Sequence, residues 1–127
     1  MPDRKLFEYA VIRVMPRVER EEFLNVGVIL FCRDQSFLQV MSTVDEARLR
    51  ALCPEIAVGE IARSLVSFDR ICRGSSDGGP IAQLDIASRF RWLTAYRSTI
   101  VQTSRAHPGL CVDAARKLKD LHAQLVL

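Results

Sequence analysis

Residues 23–32 have the sequence FLNVGVILFC, and this stretch decides the fold. It is apolar almost throughout and rich in β-branched residues, which is typical of a central strand covered on both faces. Asn25 and Gly27 interrupt the apolar run. A buried amide needs hydrogen-bond partners, and a glycine lets another backbone approach closely. The pair therefore indicates either a bulge that shapes the sheet, which we favour, or the floor of a pocket.

The segments on either side of this strand also have the pattern of strands. Residues 7–15 (FEYAVIRVM) alternate between two faces, and Pro16 ends the run because proline cannot donate to a sheet ladder. A polar turn at 33–36 leads into residues 37–42 (FLQVMS). These three strands predict an antiparallel meander, and residues 98–103 (STIVQT) predict a short fourth strand.

Helical patterns occupy the rest of the chain. Thr43 and Glu46 have the spacing of a capping box, which predicts a short helix ending near Leu52. Apolar residues at helical spacing predict a second helix after Pro54, a third over residues 81–94 and a closing helix capped by Asp113. The prediction is an α+β fold in one domain, residues 1–127. Its antiparallel sheet has about four strands, a three-stranded N-terminal meander plus one later strand, with the helices packed on one face.

Composition narrows the class of protein. A chain of 127 residues with 49% hydrophobic and 26% charged residues is typical of a globular domain. The net charge of +3 is far below the clustered excess of a dedicated nucleic-acid binder, so nucleic acid is the less favoured partner. The charged first residues contain no apolar stretch suited to a signal peptide or membrane span. These features predict a cytoplasmic protein without membrane contact.

The four cysteines are widely spread, and no two form a C-x-x-C pair. Because zinc sites bring their ligands in close pairs, the spacing predicts reduced core thiols, with no metal and no cofactor. No phosphate-binding loop, dinucleotide fingerprint, zinc-protease motif or nucleophile elbow is present. The residues thus favour a non-enzymatic protein. His122, on the closing helix, is expected to be partly exposed.

His107 and several arginines are the best candidates for ligand contact. His107 precedes Pro108 and Gly109, which predicts a tight turn where the ring either hydrogen-bonds the backbone, the favoured interpretation, or contacts a ligand. Arg13, in mid-strand, needs a carboxylate, a carbonyl or an anion. A structural ion-pair network is favoured over an anion pocket built from guanidinium groups. The candidate ligand-binding residues are Arg13, Asn25, Arg97, Ser98, Gln102 and His107. The candidate interface residues are Trp92 and Tyr96.

Two blocks of sequence carry a family resemblance. Residues 9–32 contain a Y-x-V-x-R-x-x-P strand followed by E-F-x-N-V-G-V, and residues 89–110 contain R-F-x-W-L, R-S-T-x-V-Q and H-x-G-L. In this pattern the chain resembles the bacterial family of unknown function DUF3037 over essentially its whole length. Members of that family are often encoded beside a HipA-like kinase. The resemblance therefore implies a role as partner or regulatory subunit of such a kinase.

Two functions of different classes follow from these observations. The first is a non-enzymatic interaction or regulatory module that binds a HipA-like kinase or associates with itself. The second is a small enzyme or sensor that binds a phosphorylated ligand or nucleic acid through its arginine, serine, glutamine and histidine side chains. Convergence of those side chains on one cleft would support the second function.

Overall fold

The computed structural model of the chain describes residues 3–95 and 99–127. Its antiparallel sheet has five strands: β1 (Lys5–Val14), β2 (Leu24–Cys32), β3 (Phe37–Ser42), β4 (Val101–Thr103) and β5 (His107–Cys111). The four α-helices are α1 (Glu46–Leu52), α2 (Val58–Arg73), α3 (Ile86–Leu93) and α4 (Ala114–Leu125). The predicted α+β class and antiparallel sheet are confirmed.

The strand order is β3-β2-β1, with β4 and β5 both paired to the far side of β1. β4 pairs with the end of β1 and β5 with its beginning. Ser104 joins the two short strands to β1, because its N–H donates to the Val11 carbonyl at 2.8 Å and its hydroxyl accepts from the Val11 N–H at 2.9 Å. Both backbone groups of Val11 are therefore hydrogen-bonded at the point on β1 where β4 and β5 meet.

The β-bulge predicted around Asn25 and Gly27 is present. Ile12 faces Gly27 in the β1–β2 ladder and the next residue, Arg13, faces Asn25, so Val26 is the extra residue of β2. Gly27 is packed tightly, since a Cβ atom there would lie 3.1 Å from the Met41 carbonyl oxygen. The bulge adds local twist at the end of the sheet that carries Arg13.

Helices lie on both faces of the sheet, which corrects the prediction that they lie on one. Alternate β2 side chains point to opposite faces: Ile29 and Phe31 belong to the core beneath α1, α2 and α3, whereas Leu30 and Cys32 pack beneath α4. The Phe31 and Phe90 rings, with centroids 5.3 Å apart, join the strand to α3 in the first core. A strand that is apolar on both faces requires two helical layers, and α4 supplies the second.

β5 was predicted as a turn, and this prediction is wrong. Residues 107–111 form a strand despite Pro108 and Gly109. Proline is tolerated because β5 is at the sheet edge, where one side of the backbone needs no ladder bond. Gly109 is required by packing, because a Cβ atom there would lie 2.6 Å from Cζ of the buried Phe7 ring. The strand therefore raises the number of strands from the predicted four to five.

Three local predictions about helices also change. Asp45, not Thr43, caps α1, and its carboxylate accepts from the Arg48 N–H at 3.2 Å. The Thr43 hydroxyl instead lies 2.9 Å from Nε2 of His122, which is buried rather than partly exposed. The helix predicted over 81–94 is divided: a 3-10 turn at Pro80–Gln83 precedes α3, whose N-cap is Asp85.

Candidate functional site

Three of the predicted ligand-binding residues form a row across the sheet. Arg13 on β1 lies directly opposite Asn25 on β2 and directly opposite Gln102 on β4. Residues that face each other across antiparallel strands project to the same side, so the three side chains share one face. It is the face against which α4 packs. We call these three residues the Arg13 row.

The guanidinium of Arg13 stacks on an aromatic ring. Its Cζ atom lies 4.1 Å from the centroid of the Phe23 ring, a cation–π geometry. Its Nε atom is buried, and within the part of the chain that the structure describes it has neither a hydrogen-bond partner nor a carboxylate in an ion pair with the guanidinium. Stacking rather than ion pairing therefore orients this arginine.

Asn25 joins the bulge to the end of the closing helix. Its Nδ2 group donates to the Leu125 carbonyl at 3.0 Å, while its buried Oδ1 has no partner among the described residues. Arg48 of α1 binds the next carbonyl, since its Nη1 donates to Val126 at 3.0 Å. The last carbonyls of α4 carry partial negative charge, so Arg13 also lies near the favourable end of a helix dipole.

His107 is distant from the Arg13 row. It pairs with Tyr9 across β1 and β5, and the two rings have centroids 5.3 Å apart. Tyr9 precedes Arg13 by four residues along β1, a separation of about 13 Å in an extended strand. Gln102 uses its Nε2 group to bind the Thr99 carbonyl at 2.8 Å. The structure thus brings Arg13, Asn25 and Gln102 together and places His107 elsewhere on the same face.

The other arginines of the segment have structural partners. Nη1 of Arg89 donates to the carbonyls of Ile71 and Cys72, both at 3.0 Å, and so caps the C-terminus of α2. Arg91 forms an exposed ion pair with Glu8 at 3.3 Å. These contacts are those of a structural network. Arg97, Ser98 and Tyr96, also predicted as site residues, lie outside the described residues.

An open groove lies between α2, α3 and the start of β4. Its volume is about 570 Å³. Trp92 and Ile100, 42% and 40% exposed, form part of its wall. The remaining lining residues come mainly from α2 and are Ile56, Ala57, Glu60, Ile61, Ser64, Ser67, Phe68, Ile71, Leu93, Thr99 and Val101.

The sequence analysis identified Trp92 as an interface residue but missed the groove. A sequence signal exists along α2 and its N-cap, where Ala57, Ser64 and Ile71 are seven residues apart and so lie on one side of the helix. Small and apolar residues at that spacing widen the apolar stripe beyond what one sheet face needs. Ile100 had no such signal, because its place in the wall depends on how β4 meets α2 and α3.

Two of the buried cysteines, Cys72 and Cys111, have thiols with a raised pKa. Burial raises the pKa of the Cys72 thiol to about 12, and the nearby charge of Asp69 adds to the effect. Burial also raises the pKa of Cys111. In residues 3–95 and 99–127, no three histidine, cysteine or acidic side chains are placed to hold a metal ion.

The fold and these surfaces define a small α+β domain with a five-stranded antiparallel sheet, helices on both faces and an open apolar groove. The chain belongs to DUF3037, a family described as a protein of unknown function, which it matches over residues 9–126. No curated protein and no solved structure matches the chain significantly. Across the described ranges, no helix has the length and apolar character needed to cross a membrane.

Proposed function

We propose that this protein is a non-enzymatic interaction module whose groove binds an apolar helix of a partner protein. The observation that carries the proposal is the shape of the groove. Its lining follows α2 from Ala57 to Ile71, which is about 21 Å at the rise of a helix. A volume of about 570 Å³ spread over that length makes a long, narrow channel. Such a channel suits a row of side chains better than a compact ligand.

The chemistry of the walls favours the same occupant. Apolar residues and three hydroxyl side chains, those of Ser64, Ser67 and Thr99, line most of the groove, and Glu60 is its one charged residue among those described. An amphipathic helix laid beside α2 would place its anchors at i, i+3, i+4 and i+7 along such a surface. Trp92 at the wall belongs to the residue type most enriched at interface hot spots.

The partner that we propose is a HipA-like kinase, because genes for the family often adjoin those for such kinases. The alternative is self-association through the same groove. Cytoplasmic localisation is part of this proposal, since the protein would bind the HipA-like kinase in the cytoplasm.

Co-expression with a HipA-like kinase, followed by calorimetry, tests the proposal. Ile100→Glu places a charge in the groove wall and should weaken binding about tenfold or more, because an unpaired charge would be desolvated on binding. Trp92→Ala should weaken it similarly. Leu84→Glu is the matched control, since Leu84 is 44% exposed and does not line the groove. Equal affinities for wild type and Ile100→Glu would contradict the proposal.

A second candidate function is a small enzyme or sensor of a phosphorylated ligand or nucleic acid. Arg13 supports it, because the stacked guanidinium has no carboxylate partner among the described residues and its buried Nε has no hydrogen-bond partner there. The nearby C-terminus of α4 works against an anion at this place.

Titration with inorganic phosphate and with a short single-stranded DNA distinguishes this candidate. Arg13→Met should abolish binding that Arg91→Met leaves intact, and binding should weaken steeply with salt. Binding that is unaffected by Arg13→Met would exclude the Arg13 row as an anion site.

A further inference from the structure

β3 is a terminal strand of the sheet, and its outer backbone groups can be assigned. The Thr43 N–H donates to the Val26 carbonyl at 2.8 Å, in the register that continues the β2–β3 ladder. In an antiparallel pair, hydrogen-bonded positions alternate along the strand. Positions 37, 39, 41 and 43 therefore bond to β2. The N–H and C=O groups of Leu38, Val40 and Ser42 point away from the sheet.

This edge lacks the features that usually prevent strands from pairing between molecules. Residues 37–42 contain no charged residue and no proline. On the opposite side of the sheet, β5 contains Pro108 and β4 has only three residues. No hydrogen bond of the described residues reaches the outward groups of β3. By this comparison β3 is the unprotected edge.

A groove of about 310 Å³, lined by apolar residues and by one acidic and one basic side chain, runs beside the same edge. Val40 and Ser42 of β3 form its floor, and one flank of α2 forms its wall. The exposed Val66 belongs to this wall, and Val44 lies beside the floor; they are 48% and 37% exposed. A strand added to β3 would therefore find an apolar surface for the side chains that point toward α2.

We infer that β3 pairs with β3 of a second copy of this chain about a two-fold axis through Val40. In this register Val40 faces its own counterpart, and Leu38 faces Ser42 of the other copy. All three residues present outward backbone groups, so the three facing pairs form six backbone hydrogen bonds. The result is one antiparallel sheet of ten strands, built from two sheets of five.

The α2 flank is self-complementary in charge, which selects a second copy over an unrelated strand. Asp69 and Arg73 both line the groove and form an ion pair at 2.9 Å within one helix. A two-fold axis runs the two α2 helices antiparallel, so the acidic position of one wall can lie opposite the basic position of the other. Two identical walls therefore meet without an excess of either sign, and the apolar Val66 side chains are covered.

Sedimentation velocity over a range of concentrations, with exchange of the Val40 amide, tests this pairing. Wild type should dimerise, and the Val40 amide should exchange more slowly as the dimer forms. Val66→Lys should weaken dimerisation about tenfold or more, because it places a charge in the apolar part of the wall that the second copy covers. Val18→Lys is the control, since Val18 is 44% exposed, belongs to the connection between β1 and β2, and does not line this groove. Both variants change exposed positions, so both should fold.

Charge reversal separates this interface from others. After Asp69→Arg each wall carries two positive charges, and dimerisation should weaken about tenfold or more. The double variant Asp69→Arg/Arg73→Asp should restore it, because the walls are again complementary. Binding of a partner in the groove with Trp92 should be unaffected, since that groove lies on the other flank of α2.

Three results would overturn the inference. The first is a wild-type protein that stays monomeric at the highest concentration measured. The second is a dimer that Val66→Lys leaves intact while the Val40 amide exchanges freely. The third is slow exchange of that amide only when another protein is added, which would assign the edge to a strand of that protein.

Discussion

Replacement of Arg89 by methionine should destabilise the protein far more than the same replacement of Arg91, two residues away on α3. Nη1 of Arg89 donates to two carbonyls of the last turn of α2, Ile71 and Cys72, both at 3.0 Å. Hydrogen bonds from charged groups contribute about 1.5–3 kcal/mol each, and the two share one nitrogen, so we expect a loss of about 3 kcal/mol. Methionine keeps the aliphatic packing and removes only the donors.

Arg91 provides the control on the same helix. Its ion pair with Glu8 is 3.3 Å long and its side chain is 64% exposed, so Arg91→Met should cost less than about 1 kcal/mol. Urea unfolding measures both variants. With a slope near 2 kcal/mol per molar, the Arg89→Met midpoint should fall by about 1.5 M and the slope should be unchanged.

Amide exchange locates the effect. In Arg89→Met, exchange should accelerate in the last turn of α2 before it does so in the strands, because that turn loses its cap. Equal midpoints for the two variants would refute the reasoning. They would show that the carbonyls at the end of α2 are satisfied equally well by solvent.

Three further predictions follow from single contacts. Gly109→Ala should lower stability by about 1–3 kcal/mol in thermal unfolding, since its Cβ would lie 2.6 Å from the buried Phe7 ring; an unchanged melting temperature would contradict this. The Cys72 thiol has a pKa of about 12, so about one molecule in ten thousand carries the thiolate at pH 8. Cys72 should therefore resist a thiol reagent until urea unfolds the protein, and rapid labelling of Cys72 in the native protein would be the contrary result. The hydrogen bond from the Ser88 hydroxyl lowers the pKa of Asp85 below its usual 3.8, so its stabilising effect is present above that pH and is lost as pH falls through the folded value. Asp85→Asn should flatten the fall in melting temperature below pH 4, and an identical pH profile would contradict the assignment.

Much of the fold could be predicted from periodicity. The β2 run with Asn25 and Gly27 favoured a bulged central strand, and apolar residues at helical spacing predicted α4, whose Leu118 and Leu121 are buried. The same β2 run, apolar on both faces, already called for cover on each side. Where α4 would pack could not be predicted, because the contacts that hold it, such as Asn25 to Leu125, join residues far apart in sequence.

The candidate site divides in the same way. Residue type indicated that Arg13 and Trp92 were unusual, and the structure places Arg13 on the sheet face that α4 covers and Trp92 in a groove wall. Residue type could not indicate that Arg89 caps a helix or that the His107 ring packs at a tilt against the Tyr9 ring. Each of these two contacts joins residues from elements that the tertiary fold brings together.

The sequence by itself determined the α+β class, the three-stranded meander and the family, and it favoured the bulge, because local periodicity and short motifs encode these features. The tertiary structure alone decided which face each helix covers, that residues 107–111 form a strand, and which arginines lack an ionic partner among the described residues. It also decided which sheet edge is unprotected and where the apolar groove opens. These features depend on contacts between segments that are far apart in the sequence, so the free energy that stabilises them cannot be assigned to any one segment.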